Sequence, residues 1–317
     1  MSTSVMMGPM RIPGSLAPIT GLVAVLACAP LSGCALLDGS SRVEEALEYL
    51  PAGATTVTFV DRAALADRGG SDEEDEPADA YVTELARWSA ATDAAAFGED
   101  DVEWEATATS GAGVGRVWKM VDDLDFDAVA ADLEDAGYRR TGPDDRPTFT
   151  ADPAAADGDL LTLALVPDEE VILSGSDVPA LLDAVEDDAD SLADAGTFGD
   201  LLEQAEDQDA LEYAALTLDA PCAADGVAVY VASDEPVRAV RLFADERAAE
   251  DDAASVDALL DAWQPSPEDG PRVEVTTDGR AVRVESDFAE RSAVIQAFAG
   301  REGPFGCAAT DGLPAEG

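Results

Sequence analysis

Histidine and asparagine are both missing from this 317-residue chain, and one lysine, Lys119, stands beside 17 arginines. Without histidine, imidazole-dependent triads, His-ligated metals and the zinc motifs of deaminases and metalloproteases are excluded. Lys119 lies in no Ser-x-x-Lys arrangement, and neither a G-x-S-x-G elbow nor a P-loop occurs. The lack of asparagine removes every N-x-[ST] glycosylation acceptor. Aromatic residues make up only 6%, too few for the stacking platforms of sugar subsites. The abundant carboxylates therefore do not by themselves argue for glycoside hydrolysis. Trp88, Trp104, Trp118 and Trp263 fit apolar faces of helices or strands and are expected in cores. No reaction class finds residues for its named roles, so neither an enzymatic activity nor a cofactor is expected.

A hydrophobic run long enough to span a bilayer is also absent. The apolar stretch Leu16 to Pro30 covers roughly 15 residues, short of the roughly 20 that a span requires, and Pro18, Gly21 and Pro30 interrupt it. Arg11 precedes it, and no Asp or Glu occurs before Asp38. It runs into Leu31-Ser32-Gly33-Cys34, an apolar residue, two small ones and a cysteine, which is the pattern of a lipobox. Residues 1–33 are thus expected to be a signal peptide, with Cys34 as the acceptor of a diacylglyceryl group. Cys28, inside the apolar run, is a poorer acceptor. Each buried methylene of such an anchor contributes roughly 0.8 kcal/mol, and two or more chains hold stably. Residues 34–41 form a short tether, which at about 3.3 Å per residue keeps the body within roughly 25 Å of the membrane. The expected location is the extracytoplasmic side of the cell membrane.

Charge is lopsided: 68 acidic residues oppose 18 basic ones, a net charge of −50. Cleavage before Cys34 removes only Arg11 among the charged residues, so 17 basic and 68 acidic side chains remain, a charge of −51. Nucleic acid is excluded as a partner, because binding it requires neutralising phosphates with basic side chains. Anionic headgroups are repelled too, which makes a covalent anchor more necessary. The acidity reads as a solvated surface, with cation or basic-partner binding as the sharper alternative. Avoidance of lysine, asparagine and isoleucine beside abundant alanine points to a high-GC genome, and with a lipobox to an actinobacterial envelope.

Of the four cysteines, Cys222 and Cys307 remain after lipidation of Cys34 and removal of Cys28. An even pair in an oxidising compartment is expected to form a disulfide, worth about 4 to 5 kcal/mol by loop closure. A catalytic thiol is disfavoured without a histidine to activate it.

Periodicity predicts an α+β body. Helix is expected over Arg42 to Leu50, strand over Thr55 to Val60, and a short helix capped by Asp61. The acidic run within 67–79 reads as a mobile loop rather than a metal site. Tyr81 to Ala91 reads as a helix. In Val102 to Thr109, Val102, Trp104, Ala106 and Ala108 should pack while Glu103, Glu105, Thr107 and Thr109 meet water. Gly111-Ala112-Gly113 reads as a hairpin turn into Gly115 to Val121, not as a dinucleotide loop. Asp123, Asp125, Asp127 and Glu134 fit calcium-loop positions 1, 3, 5 and 12, but Ala128 occupies the glycine position, so a helix from Asp127 to Ala136 is preferred and no metal is expected. Strands follow at Thr148 to Thr150, Leu160 to Val166 and Val171 to Ser174, then helix at Asp177 to Val185 and a helical stretch from Asp190 to Ala205 with breaks at Gly196 and Gly199. A second set comprises strands Glu212 to Leu218, Val227 to Ala232 and Val237 to Phe243, helix Glu246 to Trp263, strands Arg272 to Thr276 and Ala281 to Glu285, and helix Phe288 to Ala299. The shared order suggests two related modules, 42–186 and 187–310, of largely antiparallel sheet covered by helices, before a tail at 311–317.

Lipobox, tether, helix and the stretch Leu50-Pro51-Ala52-Gly53-Ala54-Thr55-Thr56-Val57-Thr58-Phe59-Val60-Asp61 resemble the opening of uncharacterised envelope lipoproteins of actinobacteria. The resemblance covers the first fifth of the chain and implies lipid anchoring without an activity. Two roles are compatible with it. One is an envelope interaction or scaffold protein that meets a protein or cell-wall partner. The other is a solute receptor with a cleft between the modules.

Overall fold

The computed structural model describes residues 41–68, 85, 97–151, 162–186, 189–205, 208–220, 222–232, 235–263, 273–286, 291–299 and 305. Among them are seven α-helices and twelve strands, an α+β content as expected. The strands are β1 (Ala54–Asp61), β2 (Val102–Ser110), β3 (Gly113–Met120), β4 (Arg139–Thr141), β5 (Thr148–Thr150), β6 (Thr162–Val166), β7 (Val171–Gly175), β8 (Leu211–Thr217), β9 (Gly226–Ala232), β10 (Val237–Leu242), β11 (Val273–Asp278) and β12 (Ala281–Ser286). The helices are α1 (Arg42–Glu48), α2 (Arg62–Arg68), α3 (Phe126–Asp135), α4 (Val178–Val185), α5 (Gly196–Leu202), α6 (Glu246–Trp263) and α7 (Arg291–Ala299).

All twelve strands join one antiparallel sheet in the order β11-β12-β10-β9-β8-β1-β2-β3-β7-β6-β5-β4. Strands from the two halves of the sequence meet at β1 and β8, which pair from Thr56↔Thr217 to Val60↔Tyr213. The hydroxyls of Thr56 and Thr217 lie 3.0 Å apart across that junction.

Alternation along each strand divides the apolar residues between two faces. One face carries a single cluster, from Leu173 of β7 through Trp104, Phe59 and Leu216 to Val240 of β10, closed by α1, α4 and α5. Tyr49 and Phe59 flank Trp104 with ring centroids 6.0 and 6.1 Å away, within the range of favourable aromatic contact. The opposite face carries two separate clusters. Trp118, Ile172 and Phe149 pack with Val129 and Leu133 of α3. Tyr213, Val229 and Val284 pack with Val256 of α6 and Val294 of α7.

Several elements start where their sequence signals place them. Ser41 caps α1 in a reciprocal box: its Oγ accepts from Glu44 N–H, and the Glu44 carboxylate accepts from Ser41 N–H at 2.9 Å. Asp61 accepts from Ala64 N–H at 2.8 Å and opens α2. The solitary Lys119 ties α1 to the β6–β7 turn. Its Nζ donates to the Glu169 carbonyl at 3.0 Å and lies 3.4 Å from Glu45 and 3.6 Å from Glu170.

Four local expectations need correction. Within Asp190 to Ala205 only a 3-10 turn at Leu192–Asp194 and helix α5 form, and α5 begins at Gly196 and passes Gly199 without a break. The cap of α3 is Asp125, which accepts from Ala128 N–H at 3.0 Å, so the helix begins before Asp127. Val102 does not share the face of Trp104: a register shift between them sends Val102 into the cluster under α3. Glu105, expected in water, is buried. Strand β4, which the sequence pattern did not signal, extends the sheet by three exposed residues. Residues 69–79 of the acidic run, and all of Tyr81 to Ala91 except the buried Leu85, lie outside the described residues.

Buried phenols make the fold sensitive to alkali. Burial in the cluster beneath α6 pushes Tyr213 up to about 12, and burial also raises Tyr230, whose hydroxyl donates to the Leu201 carbonyl at 2.6 Å. A phenol raised in the fold contributes stability that is complete below its unfolded value near 10 and is lost as pH climbs toward the folded value. Tyr213 alone is expected to withdraw on the order of 2 to 3 kcal/mol across that window. Denaturant titrations over this pH range should therefore show falling stability in the native chain and a flatter profile in Tyr213→Phe. Parallel profiles would contradict the assignment.

Candidate functional site

The residues that the sequence singles out fall partly outside the described structure. Cys34 and Cys307 are not among the described residues. Cys222 is disulfide-bonded. Two residues after it, Ala224 packs on the cluster beneath α6 and α7, and that cluster also contains Phe305. The chain on either side of the expected pair, near 222 and near 305, therefore reaches one apolar cluster.

The amino-terminal end of the described body is well fixed. Besides its helix cap, Ser41 donates from Oγ to Gln208 Oε1 at 3.2 Å, and Gln208 Nε2 donates to the Leu202 carbonyl at 2.9 Å. These bonds seat the start of α1 beside α5. Between the two helices lies an open cleft of about 290 Å³, lined by Glu44, Leu47, Glu48, Leu202, Glu203 and Gln208 among others. Its carboxylates suit a cationic group, but Glu44 already serves the helix cap. A second pocket, of about 10 Å³ beside Tyr230 and Arg238, has room for little more than one water.

The most elaborate polar constellation was not legible in the sequence. Arg62, the first residue of α2, is buried and donates from Nη1 to Glu105 Oε1 at 3.1 Å, and its Nη2 also bonds Glu99. The other oxygen of Glu105 accepts from the backbone N–H of Leu85 at 3.2 Å and from Trp118 Nε1 at 3.4 Å. Burial raises the Glu105 pKa, opposed by the Arg62 cation and by these donors. Next to this pair, Arg42 donates to both oxygens of Asp61, at 2.9 and 2.8 Å. Every carboxylate oxygen of Glu105 is engaged by protein donors. The arrangement fastens α2, β2 and β3 together, with both Glu105 oxygens turned to protein donors.

Among the described residues, no group of three or more Asp, Glu, Cys or His side chains could hold a metal ion. Asp125, in the stretch with calcium-loop spacing, is spent on capping α3. No helix among the described residues is long and apolar enough to cross a membrane.

No family model and no curated protein matches the chain. Similar solved structures include two crystal forms of TP0453. Form IV is 10% identical, with a TM-score of 0.43, covering 80% of this chain and 99% of that one. Form I is 9% identical, also at a TM-score of 0.43, covering 79% of this chain and 96% of that one.

Proposed function

We propose that the chain is a lipid-anchored extracytoplasmic protein whose sheet body serves as an interaction scaffold close to the membrane, without a catalytic role. The observation that carries this reading is the spacing of Leu31-Ser32-Gly33-Cys34 from Ser41, where the described body begins with a capped helix. A lipid on Cys34 would leave only a few residues of tether, so the sheet would be held at the membrane surface. The five-position pairing of β1 with β8 favours a scaffold over a solute receptor, because the two halves share a sheet there.

Related halves are part of the same proposal. Read outward from the junction, β1-β2-β3 is followed by α3 and a meander that returns inward to set β7 beside β3. In the same way, β8-β9-β10 is followed by α6 and a hairpin that sets β12 beside β10. In each half a helix, α1 or α5, precedes the first of these strands. Cys222 would be bridged to Cys307 within the second half, and nonreducing peptide mapping that recovered Cys307 as a free thiol would remove that bridge.

Cys34→Ala tests the anchor. The variant is expected to move from the membrane fraction into the medium, whereas full retention on membranes would overturn the lipidated reading. In-cell crosslinking then tests the scaffold: a reproducible envelope partner supports it, and recovery of a small-molecule transport system would favour the receptor instead.

A further inference from the structure

We propose that β11 is a docking edge for an extended, basic segment of a partner protein, a proposal that rests on the interaction-protein reading above. Strand β11 ends the sheet: among the described residues it pairs with β12 alone, in unbroken register from Val273↔Ser286 to Asp278↔Ala281. An edge strand of this kind presents a row of backbone donors and acceptors to any chain that can lie alongside it.

Proteins usually blunt such edges with charged side chains, lysine above all, or with proline, bulges or brevity. The other end of the sheet follows that practice, since β4 has only three residues and shows Arg139 and Arg140 to solvent. By contrast, β11 runs for six residues without lysine, arginine, proline or a register shift. Its exposed charges, Glu274 and Asp278, are both acidic, so this edge repels acidic strands and stays open to a basic one.

Charge defines the partner. Glu274, Thr276 and Asp278 share one side of β11 by alternation and are exposed. Asp278 is held by Arg283 at 3.2 Å, whereas Glu274 has no ion-pair partner among the described residues. On the other side, Val273 and Val275 pack on the apolar cluster beneath α6. Helix α6, which packs beside β11, adds exposed Glu246, Glu250, Asp251 and Asp257. A complementary segment therefore alternates basic residues, placed beside Glu274 and Asp278, with β-branched ones beside Val273 and Val275.

A second copy of the chain fits less well. Pairing β11 with β11 sets acidic side chains against each other, β4 offers only three residues, and each copy carries a net charge of −50.

The test uses the full chain with a fluorescent octapeptide, Arg-Val-Arg-Val-Arg-Thr-Arg-Val, and the same peptide N-methylated at alternate amides. Methylation keeps the charge and removes strand pairing. The N-methylated peptide is expected to bind at least about tenfold more weakly by anisotropy, in line with the loss of one to two hydrogen bonds at this edge. Amide exchange should slow within 273–278 on adding the unmethylated peptide. Glu274→Lys should weaken binding about tenfold, while the same charge change far from the edge, Asp123→Lys, should alter it less than about twofold. Equal binding of both peptides would reduce the effect to diffuse attraction by an acidic surface and overturn the proposal. Protection outside β11, or protection of β11 that grows with protein concentration without peptide, would overturn it as well. These failures leave the scaffold reading standing if in-cell crosslinking still captures an envelope partner, so the two ideas fall separately.

Discussion

Arg62→Ala is expected to cost about 3 to 5 kcal/mol of folding stability, because it leaves the Glu105 carboxylate buried without its counter-ion. The side chains of Arg62 and Glu105 are only 8% and 5% exposed, so water cannot take over the lost contact. The loss should depend on pH in a defined direction. Burial already raises Glu105 in the fold, and removing Arg62 removes the largest opposing influence, which raises it further. A carboxyl raised above its unfolded value favours folding below that unfolded value and loses the benefit as pH rises through the folded one. The variant should therefore be more severely destabilised at neutral pH than near pH 5. Adding Glu105→Gln should recover at least half of the loss, since a neutral amide oxygen still accepts from Leu85 N–H and Trp118 Nε1. Urea unfolding of the single and double variants at both pH values measures this. A cost below about 1 kcal/mol for Arg62→Ala, or no recovery in the double variant, would contradict the role assigned to the pair.

Gly175→Ala is expected to be comparably damaging for a different reason. Gly175 ends β7 at φ +140°, and a Cβ placed there would lie 2.1 Å from the Val114 carbonyl oxygen. Gly175 is the cross-strand neighbour of Gly115, and just beyond it Ser176 N–H donates to that same carbonyl at 3.0 Å. Backbone stands on both sides of the clash, so no flexible side chain can yield. The combined strain and lost pairing should cost about 3 kcal/mol or more. Gly53→Ala is the matched control: nothing lies within 4 Å of the added atom, and a change within about 0.5 kcal/mol is expected. Thermal unfolding of the two variants side by side would sink the argument if they fell equally.

Gly175 also marks where reading the sequence stops. Alternation discloses β1 and β2, and short apolar, β-branched runs bounded by turn residues disclose most other strands, which are buried on both faces. Strand β4 escaped, since Arg139, Arg140 and Thr141 are all exposed and leave no alternation. The alternation that correctly buries Trp104 and Ala106 puts Glu105 in water, where it is not. Its partner Arg62 stands 43 residues away, and only the folded sheet brings α2 over β2. The face of Val102 was lost to a register shift, which a period of two cannot foresee. The Gly111-Ala112-Gly113 hairpin was legible as a turn, but not the need for Gly113 itself: a Cβ there would meet Ser176 Oγ at 1.8 Å. The order of strands was the least accessible part. Nothing local to β1 or β8 announces that they pair, and the acidic edge at β11 could not be recognised as an edge until that order was known.

The meeting of β1 with β8 bears on how the chain acquires its shape in time. Strand β1 is made first and can close quickly on β2, yet its other side waits for residues about 160 positions later, as the Thr56 to Thr217 contact records a separation of 161. A contact of such high order carries a large closure entropy and slows folding. If the chain is delivered across a membrane from its amino terminus, the middle of its sheet must remain open until more than two thirds of it has arrived. Until then the first seven strands hold an unsatisfied border at β1, and the second half of the sheet is added outward from the molecule's centre once β8 has arrived.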